Sequence, residues 1–117
     1  MNPTELKNRT KTFALRIITL TRAIPKDDDA ARAISKQIVR SGTSVAANYR
    51  ASCRARSRAE FISKIGTVEE EADETALWLE LLIESAIMPA KKLSVLLDEA
   101  NSLTAIMAAS RKTASGK

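Results

Sequence analysis

Positively charged side chains recur every fourth residue in the middle of this chain. Two such series, with one further arginine, comprise Arg32, Lys36, Arg40, Arg50, Arg54, Arg56 and Arg58. On an α-helix each series forms one ridge, in which like charges repel by about 0.2–0.5 kcal/mol per pair. Nucleic-acid phosphates neutralise ridges of this kind and release their own counterions on binding. The spacing therefore predicts a surface that binds the backbone of RNA or DNA.

An acidic stretch offers a second explanation for the same arginines. Residues 30–64 carry eight Lys or Arg and one Glu, whereas residues 65–88 carry seven Asp or Glu and no Lys or Arg. The net charge of +5 is thus the remainder of two strongly charged blocks. Pairing between the blocks, within a chain or between subunits, accounts for both at once. Phosphate binding and protein–protein pairing both stay open.

The composition argues against catalysis. The chain contains no histidine, which removes the commonest general base and the histidine-dependent nucleophile pairs. Neither a GxGxxG nor a GxxxxGK[ST] motif is present to hold a nucleotide cofactor. We therefore expect no catalytic residues, no cofactor and a protein that is not an enzyme.

A carboxylate cluster raises the question of a metal site. Glu70, Asp73 and Glu74 lie one helical turn apart, as carboxylate ligands do in helical bundles. Those bundles also use histidines, which this chain lacks. We expect a solvated or ion-paired acidic face and no bound metal.

Four amphipathic segments must position these charges, because apolar residues recur at alternating steps of three and four. The predicted helices are Pro3–Ala23, Ala30–Arg56, Arg58–Ser85 and Pro89–Ser110. Short connections make consecutive helices antiparallel neighbours. The pattern predicts an all-α, up-down-up-down four-helix bundle over residues 1–110 and a polar, fraying tail over 111–117. Gly42 marks a position where the second helix could break or kink.

The third segment has more apolar surface than one small bundle can cover. Around the helix axis, Leu77 and Leu81 lie nearly opposite Phe61, and Trp78 lies about 100° from it. We predict an oligomer interface at Leu77, Trp78, Leu81 and Tyr49, because aromatic anchors are enriched in interfaces. The alternative is a splayed bundle whose helix ends wrap this turn.

Two isolated residues have alternative roles. Asn48 falls on an apolar stripe, where it either fixes helix register through hydrogen bonds or points into a functional groove. Cys53 has Arg50 and Arg54 as neighbours, but no second cysteine accompanies it, so we expect a small packing residue rather than a reactive thiol. Without a disulfide or a stretch of about 20 apolar residues, we expect a cytoplasmic protein without membrane contact.

The central segment resembles one known family. The resemblance is carried by Gln37, Ile38, Arg40, Ser44, Val45, Asn48, Ser57, Glu60 and Phe61. These match the pattern of four helix bundle proteins, also called 23S rRNA intervening-sequence proteins. The chain departs from that pattern at Ala46 and over Tyr49–Ser52. The resemblance implies a four-helix bundle that assembles as a ring, typically a homopentamer, and an association with rRNA or other nucleic acid.

Two functions follow from these features. The first is a non-enzymatic oligomeric accessory protein that binds RNA or DNA phosphates through the basic ridge of the second helix. Since Tyr49 is the only candidate for base stacking in the basic block, such binding would be driven by the backbone and weakly sequence-specific. The second is an interaction or scaffold module, whose basic and acidic blocks pair between copies of the chain.

Overall fold

Four antiparallel helices account for most of the chain. A computed structural model describes residues 1–116 and contains α1 (Pro3–Ala23), α2 (Asp29–Ser52), α3 (Arg58–Glu84) and α4 (Ala90–Ser115). Successive helices pack side by side, while α1 and α4 touch only lightly. The bundle is a rod of 46 × 21 × 20 Å. The predicted all-α up-down-up-down fold is confirmed, and no described helix is long and apolar enough to cross a membrane.

Side-chain caps fix the start of three helices. The side chains of Asn2, Asp28 and Ser57 each accept a hydrogen bond from the amide three residues later, at 2.8, 2.9 and 3.0 Å respectively. Each bond satisfies one of the amides that have no partner within the helix. The Glu60 carboxylate folds back toward this start and accepts from the Arg56 amide at 2.5 Å. Helices α1 and α3 therefore begin at the predicted residues, Pro3 and Arg58.

Helix α2 is shorter than its sequence pattern predicts. It ends at Ser52 instead of Arg56. The amides of Cys53 and Arg54 bond the carbonyls of Tyr49 and Ala51, and the chain then turns into α3. Arg54 and Arg56 consequently lie in the connection between α2 and α3, at one end of the rod.

Helix α4 is longer than predicted. It continues past Ser110 to Ser115, so the expected fraying tail is helical over its first five residues. Arg111 donates to Glu69 of α3 at 2.7 Å, which ties the added turns to the bundle. The last tail residue, Lys117, lies outside the described residues.

The core between the helices is mostly aliphatic. Its largest fully buried side chains include Phe13, Ile17, Ile38, Leu79 and Leu103. Besides them, α2 and α3 share one buried polar contact, in which the hydroxyl oxygens of Ser41 and Thr75 lie 2.8 Å apart. A buried polar pair must stay matched, so this contact fixes the register of the two helices.

Gly42 brings α1 and α2 together instead of kinking α2. Helix α2 runs unbroken through this residue, which is buried against Ile17 of α1. A Cβ at position 42 would lie 2.9 Å from both Cγ atoms of Ile17. The missing side chain therefore lets the backbone of α2 lie directly on Ile17.

Replacing Gly42 by alanine should destabilise the bundle. Overpacking costs about 1–3 kcal/mol, while the gain in helix propensity is about 1 kcal/mol. We expect a net decrease of about 1 kcal/mol in the free energy of unfolding, measured by urea titration. The matched control is Gly66→Ala, whose Cβ would lie 3.8 Å from Arg111 Cδ. That variant should gain about 0.5–1 kcal/mol, and a stabilised Gly42→Ala protein would contradict the close contact.

Candidate nucleic-acid interface

A groove of about 590 Å³ runs between the first half of α1 and the second half of α2. Its α1 wall is formed by Thr4, Lys7, Asn8, Lys11 and Ala14. Its α2 wall is formed by Thr43, Ala46, Ala47 and Arg50, and Cys53 and Arg54 close one end. Steps of three and four along both helices put each set on one face. The groove, hereafter the basic groove, is thus a consequence of two regular helices.

Four cations give the basic groove its charge. Lys7 and Lys11 come from α1, Arg50 comes from α2, and Arg54 comes from the connection that follows. All four side chains are exposed, and none forms an ion pair within residues 1–116. Like charges around one recess favour the binding of an anion. Because the groove residues between the cations are small or polar, a phosphate group can approach them.

In the first predicted series, which comprises Arg32, Lys36 and Arg40, both arginines form ion pairs within the chain. Arg40 binds two carboxylates of α3, with its Nη1 atom 2.9 Å from Glu71 Oε2 and its Nη2 atom bonded to Glu74. The hydrogen bond to Glu74, with the contact to Glu71, raises the pKa of Arg40 above its ordinary value. Arg32 pairs with Asp29 at the start of α2. Arg40 therefore accounts for part of the basic–acidic pairing, and neither arginine lines the basic groove.

The remaining predicted cations separate into three groups. Arg50 and Arg54 line the basic groove. Arg58 donates its Nε–H to the carbonyl of Ala114 and joins α3 to the end of α4. Lys36 and Arg56 are exposed outside the groove lining. The structure thus brings two of the seven predicted residues together at one candidate site.

Sequence reasoning missed the two lysines that complete the basic groove. Lys7 and Lys11 have the same four-residue spacing as the arginines. When charge is summed over residues 1–29, the three aspartates at positions 27–29 partly cancel the charge of these lysines. Those aspartates, however, lie at the opposite end of the rod. Spacing alone was a usable signal for the lysines, but only the packing of α1 on α2 places them beside Arg50.

Asn48 meets its hydrogen-bonding needs within its own helix. Its Nδ2 donates to the carbonyl of Ser44 at 3.0 Å and to the hydroxyl of Ser44 at 2.8 Å. The side chain is half-buried and is not part of the basic groove lining. These bonds support a structural role inside α2, and they do not connect α2 to another helix.

A second exposed surface lies on the outside of α3. Leu77 is 46% exposed and Leu81 is 38% exposed. Trp78 is half-buried beside them, and its indole N–H donates to Glu74 Oε2 at 3.1 Å. Tyr49, the fourth residue predicted for an interface, is only 5% exposed and packs in the core. It therefore has little surface to offer either a subunit or a nucleotide base.

The sequence profile of a family described as 23S rRNA-intervening sequence protein matches residues 4–109. The chain belongs to this family. It is similar to a crystal structure described as a protein with unknown function from the S23 ribosomal protein family of Bacteroides thetaiotaomicron VPI-5482. That similarity has a TM-score of 0.87 and 33% identity, over 96% of this chain and 99% of the other. No curated protein matches the chain.

The family match confirms the resemblance seen in the sequence. The matched residues, 4–109, include the whole lining of the basic groove and the exposed leucines of α3. Over the described residues, no group of three or more Cys, Asp or Glu is placed to hold a metal ion. The chemistry offered by this family member at the basic groove is that of cations, hydroxyls, amides and one thiol.

Cys53 corrects one prediction, because it is exposed and is not a packing residue. Its place at the C-terminal cap of α2 leaves the thiol at the end of the basic groove. The buried neighbour one turn earlier is Tyr49. Burial, followed by the charge and hydrogen-bonding capacity of Cys53, raises the pKa of Tyr49 to about 12. The neutral phenol is therefore favoured in the folded protein.

Titration of the phenol tests this environment directly. Tyr49 is the only tyrosine in the chain, so ultraviolet absorbance of phenolate reports it alone. We expect a midpoint near pH 12, and a lower midpoint for Cys53→Ser, which removes the thiolate. The contribution of the neutral phenol to the free energy of unfolding is complete below the ordinary tyrosine pKa of about 10. It is lost as the pH rises through the pKa that Tyr49 has in the folded protein. A midpoint near pH 10 in folded protein would contradict the burial.

Proposed function

We propose that this family member is a non-enzymatic accessory protein that binds single-stranded RNA or DNA in the basic groove. The observation that carries this proposal is the position of Lys7, Lys11, Arg50 and Arg54 around one recess, without ion pairs in the described chain. Unpaired cations around a recess are the electrostatic arrangement that phosphate binding uses. The family name, which refers to 23S rRNA intervening sequences, supports RNA as the partner.

The size of the basic groove favours a single strand over a duplex. A recess of about 590 Å³ lies in the range of small-ligand sites, about 300–1,000 Å³. A single sugar–phosphate backbone can enter such a recess, whereas a double helix can only lie across its rim. Small side chains at Ala14, Ala46 and Ala47 leave room for the strand.

The lining also sets the mode of recognition. No aromatic side chain is among the lining residues, and Tyr49 is in the core. Bases therefore have no stacking platform in the basic groove. Recognition goes through phosphates, so binding depends steeply on salt and only weakly on sequence. The free thiol of Cys53 is compatible with action in a reducing compartment such as the cytoplasm.

Binding of a fluorescent oligouridylate across a salt series tests the proposal. We expect affinity to fall steeply between about 50 and 200 mM salt. Arg50→Ala/Arg54→Ala should weaken binding about tenfold or more, because each charge-assisted hydrogen bond contributes about 1.5–3 kcal/mol. The slope of log K against log salt should become shallower by about 0.7 for each phosphate that the variant no longer neutralises.

The matched control removes two lysines outside the basic groove. Lys91 and Lys112 are exposed on α4, and their replacement by alanine changes the net charge equally. This control should bind like the wild type, and a duplex of equal phosphate number should bind more weakly than the single strand. If the groove variant and the control lose binding equally, net charge alone explains the loss, and a binding site in the groove is contradicted.

A second candidate function is a homo-oligomeric interaction module, and the exposed acidic and apolar face of α3 favours it. Glu69, Glu71 and Glu74 are occupied within the chain. Glu70 and Asp73 are exposed and form no ion pair within residues 1–116, so they are available to cations of another copy. The family resemblance implies an assembly of five copies.

Sedimentation velocity tests the second candidate. Wild-type protein should sediment as an oligomer, and Glu70→Lys/Asp73→Lys should shift the population to monomers because it reverses the available charge. The control Asp27→Lys/Asp98→Lys reverses two exposed acids elsewhere and should keep the wild-type size. A double variant of α3 that stays fully assembled would contradict this function.

A further inference from the structure

An open apolar groove lies on the seam between α1 and α4, where the two helices touch only lightly. Its volume is about 490 Å³. Apolar lining residues include Leu15, Leu20 and Leu96, and Leu15 is 55% exposed. Arg16 and Lys92 also line it. This surface, hereafter the α1/α4 groove, combines exposed apolar area with positive charge.

The outside of α3 has the complementary character. Glu70, Asp73, Leu77, Leu81 and Glu84 fall within an arc of about 80° at 100° per residue. Both leucines are exposed, and the arc lies opposite the residues of α3 that face the core. The α3 face is therefore a convex apolar strip with acidic side chains along it.

We propose that the α3 face of one copy docks in the α1/α4 groove of a second copy. The leucines of the face then cover Leu15 and Leu20, and its carboxylates meet Arg16 and Lys92. Two α3 faces would oppose like negative charges, and two α1/α4 grooves would oppose like positive charges. Charge complementarity therefore selects the face-to-groove contact over either symmetric one.

The two surfaces lie on different sides of the bundle, so the contact is heterologous. Each copy inserts its α3 face into one neighbour and receives the face of another. Both surfaces lie toward the end of the rod that holds the α1–α2 and α3–α4 connections, while the basic groove lies toward the α2–α3 connection. The two grooves share no lining residue. This inference rests on the second candidate function, self-assembly, and is independent of nucleic-acid binding.

Complementary variants give a direct test. Leu15→Asp places a charge in the α1/α4 groove, and Leu81→Arg places one in the α3 face. Each variant alone should be monomeric in analytical ultracentrifugation. Mixed in equal amounts, they should form a one-to-one pair of twice the 12.8 kDa chain mass, because each retains the surface that the other lacks. The control Val95→Asp changes an apolar position that is 64% exposed and outside the groove lining, and it should assemble like the wild type.

Three other outcomes of this experiment would overturn the proposed face-to-groove contact. If Leu81→Arg or Leu15→Asp keeps the wild-type size, the altered surface is not the interface. If both variants are monomeric and the mixture stays monomeric, the contact is not face-to-groove, although self-assembly itself stands. A wild-type protein that is monomeric at tens of micromolar overturns both this inference and the second candidate function. Formation of the mixed pair also shows that both variants are folded.

Discussion

The close contact between Gly42 and Ile17 is the constraint on which the arrangement of this molecule depends. It lets the backbone of α2 lie directly on a side chain of α1, so the two helices are held together in their middle portions. Thr43 and Ala14, which lie near this contact in sequence, both line the basic groove. The seam between α1 and α4 is more open, since these two helices touch only lightly. The missing side chain at position 42 thus lies beside the basic groove.

The charged side chains along the rod have different roles. Arg40 and Arg111 bind carboxylates of α3 and hold the bundle together, while Arg9 joins α1 to Glu99 of α4 at 2.6 Å. Four other cations, Lys7, Lys11, Arg50 and Arg54, form no ion pair in the described chain and surround the basic groove. The acidic block divides similarly, into carboxylates that bind arginines of the same chain and carboxylates that remain on the outer face of α3. Neither block therefore serves a single purpose.

The two candidate functions are physically compatible. The basic groove lies toward one end of the 46 Å rod, and the surfaces proposed for self-assembly lie toward the other. Copies that stand side by side in one direction would present their basic grooves on the same side. A nucleic-acid strand that contacts several grooves would then gain affinity from effective concentration. Self-assembly in the proposed arrangement would strengthen backbone binding without requiring any sequence-specific contact.

The sequence by itself determined the four helices, the first residue of two of them, the family and the existence of surplus apolar surface on α3. These features depend on local spacing and local hydrogen bonds, which repeat every turn of a helix. Only the tertiary structure decided which cations are free, because helix packing places Lys7 and Arg50 around one groove, whereas Glu71 of another helix binds Arg40. It also buried Tyr49 and exposed Cys53, since the end of α2 at Ser52 depends on the turn into α3. Long-range packing, which no local pattern encodes, therefore determined which charged residues surround the candidate site.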